Sequence, residues 1–206
     1  MNLPRKILFS LTLMLSVLPC AQAAGSLSTT RFQGTGWSVE QPDQSIPLFS
    51  ARLNGEASHG DKTSAAILQV SCYRSPLRPV ISLLTSTDQL GFNPGAFEGP
   101  AAESTGPLSL TSGTLAPRDY SVNGVYSAEF AQRGDLVFVL NMPANRQELH
   151  YWTTEAARGQ PVKMTLPSAI KEGLPLTARF ILPQDDSGLR EVIGPCMKAS
   201  RSADRR

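Results

Sequence analysis

The run Ala65–Arg74 (AAILQVSCYR) restricts what this chain can fold into more than any other stretch. Taken two residues at a time, Leu68, Val70 and Cys72 fall on one face, and Gln69, Ser71 and Tyr73 on the other. That is the period of a β-strand with one buried side. The buried side carries a cysteine, so the compartment and the cysteine's partner decide the next step.

The N-terminus addresses the compartment. Arg5 and Lys6 precede the apolar run Ile7–Leu18, and Ala21-Gln22-Ala23 offers a small-residue cleavage site. Residues 1–23 are therefore expected to be a secretory signal peptide. The apolar run is too short for a membrane span, which needs about 20 residues. Cleavage removes Cys20 and leaves Cys72 and Cys196, an even pair in an oxidising compartment, where a disulfide is expected. Such a bridge closes a loop of about 125 residues, worth roughly 4–5 kcal/mol in the chain-entropy account. Two buried free thiols are the alternative. The mature protein is expected to be periplasmic or secreted, with no transmembrane segment after cleavage.

Charge narrows the partners. The whole chain holds 19 Lys and Arg against 17 Asp and Glu, and the leader accounts for two of the bases. The tail, residues 198–206, carries Lys198, Arg201, Arg205 and Arg206 against Asp204, and is read as basic and flexible. The body, 24–197, is then slightly acidic and unsuited to nucleic acid. Its length fits one domain.

Along the body, strands are expected around Trp37, over Ile46–Glu56, through Cys72, and over Arg78–Thr87, the last two pairing as a hairpin. Ala57–Ser64 reads as a loop. Asp88–Pro107 reads as a long irregular segment in which Phe92 and Phe97 pack down on the core. Asn123-Gly124 predicts a two-residue hairpin turn between Arg118–Val122 and Val125–Phe130. Leu136–Leu140 reads as an interior strand. Glu148–Thr154 and Pro161–Leu166 read as another hairpin, with His150 and Trp152 on one face and Tyr151 on the other. Ser168 is expected to cap a helical turn over Ala169–Glu172, and Leu174–Leu182 to alternate as a strand. Asp185–Ser187 is expected to start a helix that Gly194-Pro195 ends, just before Cys196. The predicted fold class is mainly β: an antiparallel β-sandwich with one or two short helices near the C-terminus.

Catalytic patterns are sparse. Ser168-Ala169-Ile170-Lys171 matches S-x-x-K, and Ser121-Val122-Asn123 is like the second motif of penicillin-recognising enzymes. Their order is reversed, however, and no K-T-G follows. His59 and His150 are the only histidines, and no G-x-S-x-G elbow accompanies them. No H-E-x-x-H or Cys/His cluster calls for a metal, and no cofactor is expected. Arg133-Gly134-Asp135 spells an adhesion tripeptide that is also ordinary turn chemistry. Tyr73, Arg74, His150 and Trp152 form the candidate protein-binding set, since aromatic residues with arginine compose interaction hot spots. For Trp152 the preferred reading is a core residue.

The strand ending in Leu68–Arg74, a Trp near the mature start, and the closing segments Pro175–Leu182 and Gly188–Cys196 resemble the small periplasmic accessory proteins of type VI secretion, the VasI/TagO kind. The resemblance leaves Asp88–Leu166 unmatched, and the family's aspartate-rich stretch is not evident. It implies a non-enzymatic envelope accessory whose partner is another envelope or secreted protein. Two other readings stand beside it. One is a small exported hydrolase using a serine with His59 or His150. The other is a carbohydrate- or lipid-binding β-sandwich that uses Asp88–Pro107.

Overall fold

The long hairpin around Cys72 is the spine of the computed structural model, which describes residues 36–40, 48–74, 77–99, 107–127 and 136–203. Strands β2 (Leu48–His59) and β3 (Lys62–Arg74) pair without interruption from Leu48↔Tyr73 to His59↔Lys62. Leu68, Val70 and Cys72 are buried, as the alternation requires. The expected loop at 57–64 is instead strand on both sides of a two-residue turn, Gly60-Asp61. Gly60 takes φ +61°, a conformation open to glycine at little cost.

The other strands are β1 (Ser38–Glu40), β4 (Leu77–Thr85), β5 (Leu108–Ser112), β6 (Arg118–Tyr120), β7 (Asn123–Ser127), β8 (Val137–Pro143), β9 (Pro161–Leu166) and β10 (Leu176–Ile181). They form one sheet in the order β6-β5-β9-β10-β2-β3-β4-β8-β7, with β1 on β2. The fold is mainly β and antiparallel, as predicted, but the sheet is continuous and curls into a half-barrel instead of splitting into a sandwich. The reason lies at β2. One of its edges is shared, β1 pairing at Ser50–Arg52 and β10 at Glu56–His59, so both groups of strands hang on a single strand. Gly55 permits this approach, because a Cβ there would stand 2.3 Å from both the Arg179 carbonyl oxygen and the Phe180 ring.

The expected Asn123-Gly124 hairpin does not form. Arg118–Tyr120 pairs with β5 and Asn123–Ser127 with β8, at opposite ends of the sheet. Three residue steps reach about 11 Å at most, so this segment holds the two ends of the half-barrel close together. Gly124 is needed for space, not for a turn: a Cβ would lie 2.3 Å from the Phe138 ring and 2.6 Å from the Phe97 carbonyl oxygen. Phe92 and Phe97 are buried, as anticipated, on a segment that holds α1 (Thr87–Leu90) and a 3₁₀ turn, Gly95–Phe97.

Two helices pack against the sheet, one beside β5 and β6 and the other over β1 to β4. Helix α2 (Arg146–Trp152) replaces the strand expected at 148–154. Asn145 caps it by accepting from the Gln147 and Glu148 N–H groups, and Glu148, Leu149 and Trp152 bury at helical spacing. Helix α3 (Ser187–Ala203) packs over β1 to β4 through Leu189, Val192, Ile193 and Cys196. It does not stop at Pro195. The proline removes one helical hydrogen bond, while buried Ile193 and Cys196 on either side carry the helix on. Lys198–Ala203, expected as tail, are helical. The turn expected at Ser168 is not a helix: four residues give little return on nucleation, and Ser168 Oγ instead accepts from Ile170 N–H in a bend. Cys72 and Cys196 form a disulfide, their Cα atoms 6.0 Å apart. Residues 1–23 and Arg133–Asp135 lie outside the described residues.

Candidate functional site

The predicted set Tyr73, Arg74, His150 and Trp152 does not form one surface. His150 and Trp152 are two residues apart on a helix, about 200° around its axis. Trp152 is buried and stacks on Trp37 at 6.3 Å between ring centroids, while His150 is exposed. The core reading of Trp152 holds, and the strand reading that paired it with His150 is corrected.

Around Trp152 lies a closed polar network. The indole N–H donates to Ser112 Oγ at 2.9 Å, Ser112 donates to Glu148 Oε1, and Tyr120 OH donates to Glu148 Oε2 at 2.5 Å. Burial, followed by the Glu148 hydrogen bond and charge, pushes the Tyr120 phenol well above its usual pKa. Glu148 and Ser112 are buried, so the network fastens α2 to β5 and β6. Buried polar groups with satisfied partners rigidify a fold in this way.

Tyr73 sits where the alternation puts it, on the face opposite Cys72 and 42% exposed. Arg78 of β4 is its cross-strand neighbour. Together they line a shallow groove of about 440 Å³ with Val80, Asn123, Asn141 and Pro143. Asn123 and Asn141 are themselves cross-strand partners, and Asn141 Oδ1 accepts from Ser82 Oγ at 2.7 Å. Beside the groove the same face carries a polar ladder. Glu40 pairs with Arg52, Arg52 Nε donates to Gln69 Oε1 at 2.7 Å, and Gln69 Nε2 donates to Ser71 Oγ at 3.0 Å. Arg74 ends β3, and its side chain is outside the described residues.

A second concavity, of about 250 Å³, lies at the other end of the hairpin. Three segments build it: the hairpin tip with His59, the connection Gly91–Ala96 with Phe92, and the bend Ser168–Leu174. The Phe92 ring meets the His59 ring edge-on at 5.3 Å, and His59 Nδ1 lies 3.2 Å from the Leu90 carbonyl oxygen. A carbonyl only accepts, so Nδ1 carries the hydrogen there. Ile170 and Leu174, 67% and 57% exposed, form the outer lip. Glu172 holds φ +64° within that bend, a strained conformation for a residue with a side chain.

His59 and Ser168 thus share a cleft, yet no hydrogen bond joins them among the described residues. The His59 Nδ1 faces a backbone carbonyl where a triad would place a carboxylate. Lys171 stands on a bend, not a helix beside Ser168. Among the described residues no cluster of three His, Cys, Asp or Glu could hold a metal, and no helix is long and apolar enough to cross a membrane.

Sequence reasoning missed Arg78, Asn123 and Asn141, which join Tyr73 only through strand register. The short Ser75-Pro76 link between β3 and β4 was the available signal for Arg78. Comparison of the chain with protein-family models, curated proteins and solved structures finds no match.

Proposed function

We propose that this chain is an exported, non-enzymatic binding protein of the bacterial envelope, and that the Tyr73–Arg78 groove is its contact face for another protein. The observation that carries this reading is the groove itself. A half-exposed tyrosine stands across from an exposed arginine, on a strand end that the disulfide pins to α3. Tyrosine and arginine on rigid backbone are the side chains from which hot spots are made, and the neighbouring asparagines supply a polar rim. The absence of a joined serine–histidine pair among the described residues favours binding over hydrolysis. The leader-like N-terminus supports export, and the resemblance to type VI secretion accessories supports a role beside a secretion assembly.

A photocrosslinking residue placed at Tyr73 or Arg78 in cells tests the reading. A discrete adduct with one envelope protein is expected from both positions, and none from His150 on α2. Adducts of equal yield from all three positions, or none from any, would overturn it.

A further inference from the structure

The cleft at the hairpin tip carries a different chemistry from the Tyr73 groove. Its wall is apolar, formed by Phe92, Ala96, Ile170 and Leu174. The two lip residues are among the most exposed large apolar side chains of the described residues, and exposure of that kind around a concavity marks a ligand site. Polar groups are few. Ser168 and Asn93 offer a hydroxyl and an amide, while His59 Nε2 can only accept once Nδ1 carries the hydrogen towards Leu90. Beside the lining residue Gly91 stands a cation: Lys62 Nζ lies 2.8 Å from where a Cβ on Gly91 would be. Lys62 stands just outside the lining, next to Gly91, and makes no ion pair among the described residues.

An apolar wall with a neighbouring cation and hydrogen-bond donors at the mouth matches an amphiphile with an anionic head. We propose that this cleft binds the end of a short acyl chain bearing a carboxylate. The chain lies between Phe92, Ile170 and Leu174, and the carboxylate faces Lys62. The volume, below the roughly 300–1,000 Å³ of pockets for drug-sized ligands, suits a chain of about eight carbons. The site is independent of the protein-binding groove, from which the whole hairpin separates it.

Titration of the intact mature protein with sodium octanoate, followed by amide chemical shifts, tests the proposal. Saturable one-to-one binding is expected, with shifts concentrated at His59–Lys62, Gly91–Ala96 and Ser168–Leu174. Hexanoate should bind about fifteen-fold more weakly, because each of the two lost methylenes contributes roughly a four-fold change. Octanol should bind about five-fold more weakly than octanoate, and Lys62→Gln should erase that preference, as expected for one exposed charge pair. Leu174→Ser, at an exposed position that leaves the core untouched, should weaken octanoate several-fold. Non-saturable binding, shifts centred on Tyr73, or equal affinity for hexanoate and octanoate would overturn the proposal. An octanoate preference that survives Lys62→Gln would remove Lys62 from it and overturn the carboxylate assignment.

Discussion

The two ends of the β2–β3 hairpin, about 36 Å apart along eleven residue steps, carry surfaces built by opposite means. At the Tyr73 end the strand is pinned from beneath by the Cys72–Cys196 bond to α3, and the outward face is shallower and richer in polar groups. Among the described residues no disulfide reaches the His59 end. There the chain is shaped by a glycine turn, by α1 and by the Ser168–Leu174 bend, and the result is concave and apolar. The disulfide stabilises the Tyr73 end chiefly by restricting the unfolded chain, on top of the packing of α3 beneath it. The His59 end is held by packing and hydrogen bonds alone, so its shape depends on the side chains that also line its cleft.

The largest expected effect tests the pinned end. Replacing both Cys72 and Cys196 by serine should lower stability by about 2–4 kcal/mol, read as a shift in the urea midpoint. Octanoate affinity at the distant cleft should stay within two-fold under folding conditions. Next comes a change in the shared interior that should favour neither end. Tyr120→Phe removes a hydrogen bond to a buried carboxylate and should cost about 1.5–3 kcal/mol, and both surfaces should weaken together in denaturant. It also has a pH signature. The Tyr120 phenol titrates above its unfolded value of about 10, so its contribution is complete below pH 10 and is lost as pH rises towards the folded value. Alkaline titration of stability should show that loss in the natural chain and not in the Phe variant. Smallest is Gly60→Val, which forces a side chain into φ +61° with Leu174 Cδ1 3.3 Å from the new Cβ. A cost of about 1–2 kcal/mol is expected, with octanoate binding weakened and crosslinking from Tyr73 unchanged.

The pinned end was the more legible one. Alternation placed Leu68, Val70 and Cys72 inward and Tyr73 outward, cysteine parity named Cys196, and the structure has all of these. Leu176, Ala178, Phe180 and Leu182 likewise bury as the alternation over 174–182 implied, whereas Leu174, expected inward with them, precedes β10 in the bend and is exposed. The His59 end was read as a loop because Ala57–Ser64 is mostly small and polar. The Gly60-Asp61 pair, a two-residue turn with glycine first, was the signal present. At 148–152, alternating side-chain size imitates a strand, whereas Asn145 as a cap and the spacing of Glu148, Leu149 and Trp152 specify the helix. The Asn123-Gly124 turn failed for another reason. Its local preference yields to pairing with β5 and β8, partners far apart in the sheet order that no short-range pattern encodes. The same applies to the groove, whose Arg78, Asn123 and Asn141 meet Tyr73 through register alone.

Hydrogen exchange on the oxidised and the reduced protein tests most directly whether the two ends are held separately. On reduction, amides of Val70–Tyr73 and Val192–Met197 should exchange at least ten-fold faster, while those of His59–Lys62 and Gly91–Ala96 keep their rates within two-fold. Equal acceleration at both ends, or none at the Tyr73 end, would contradict the account.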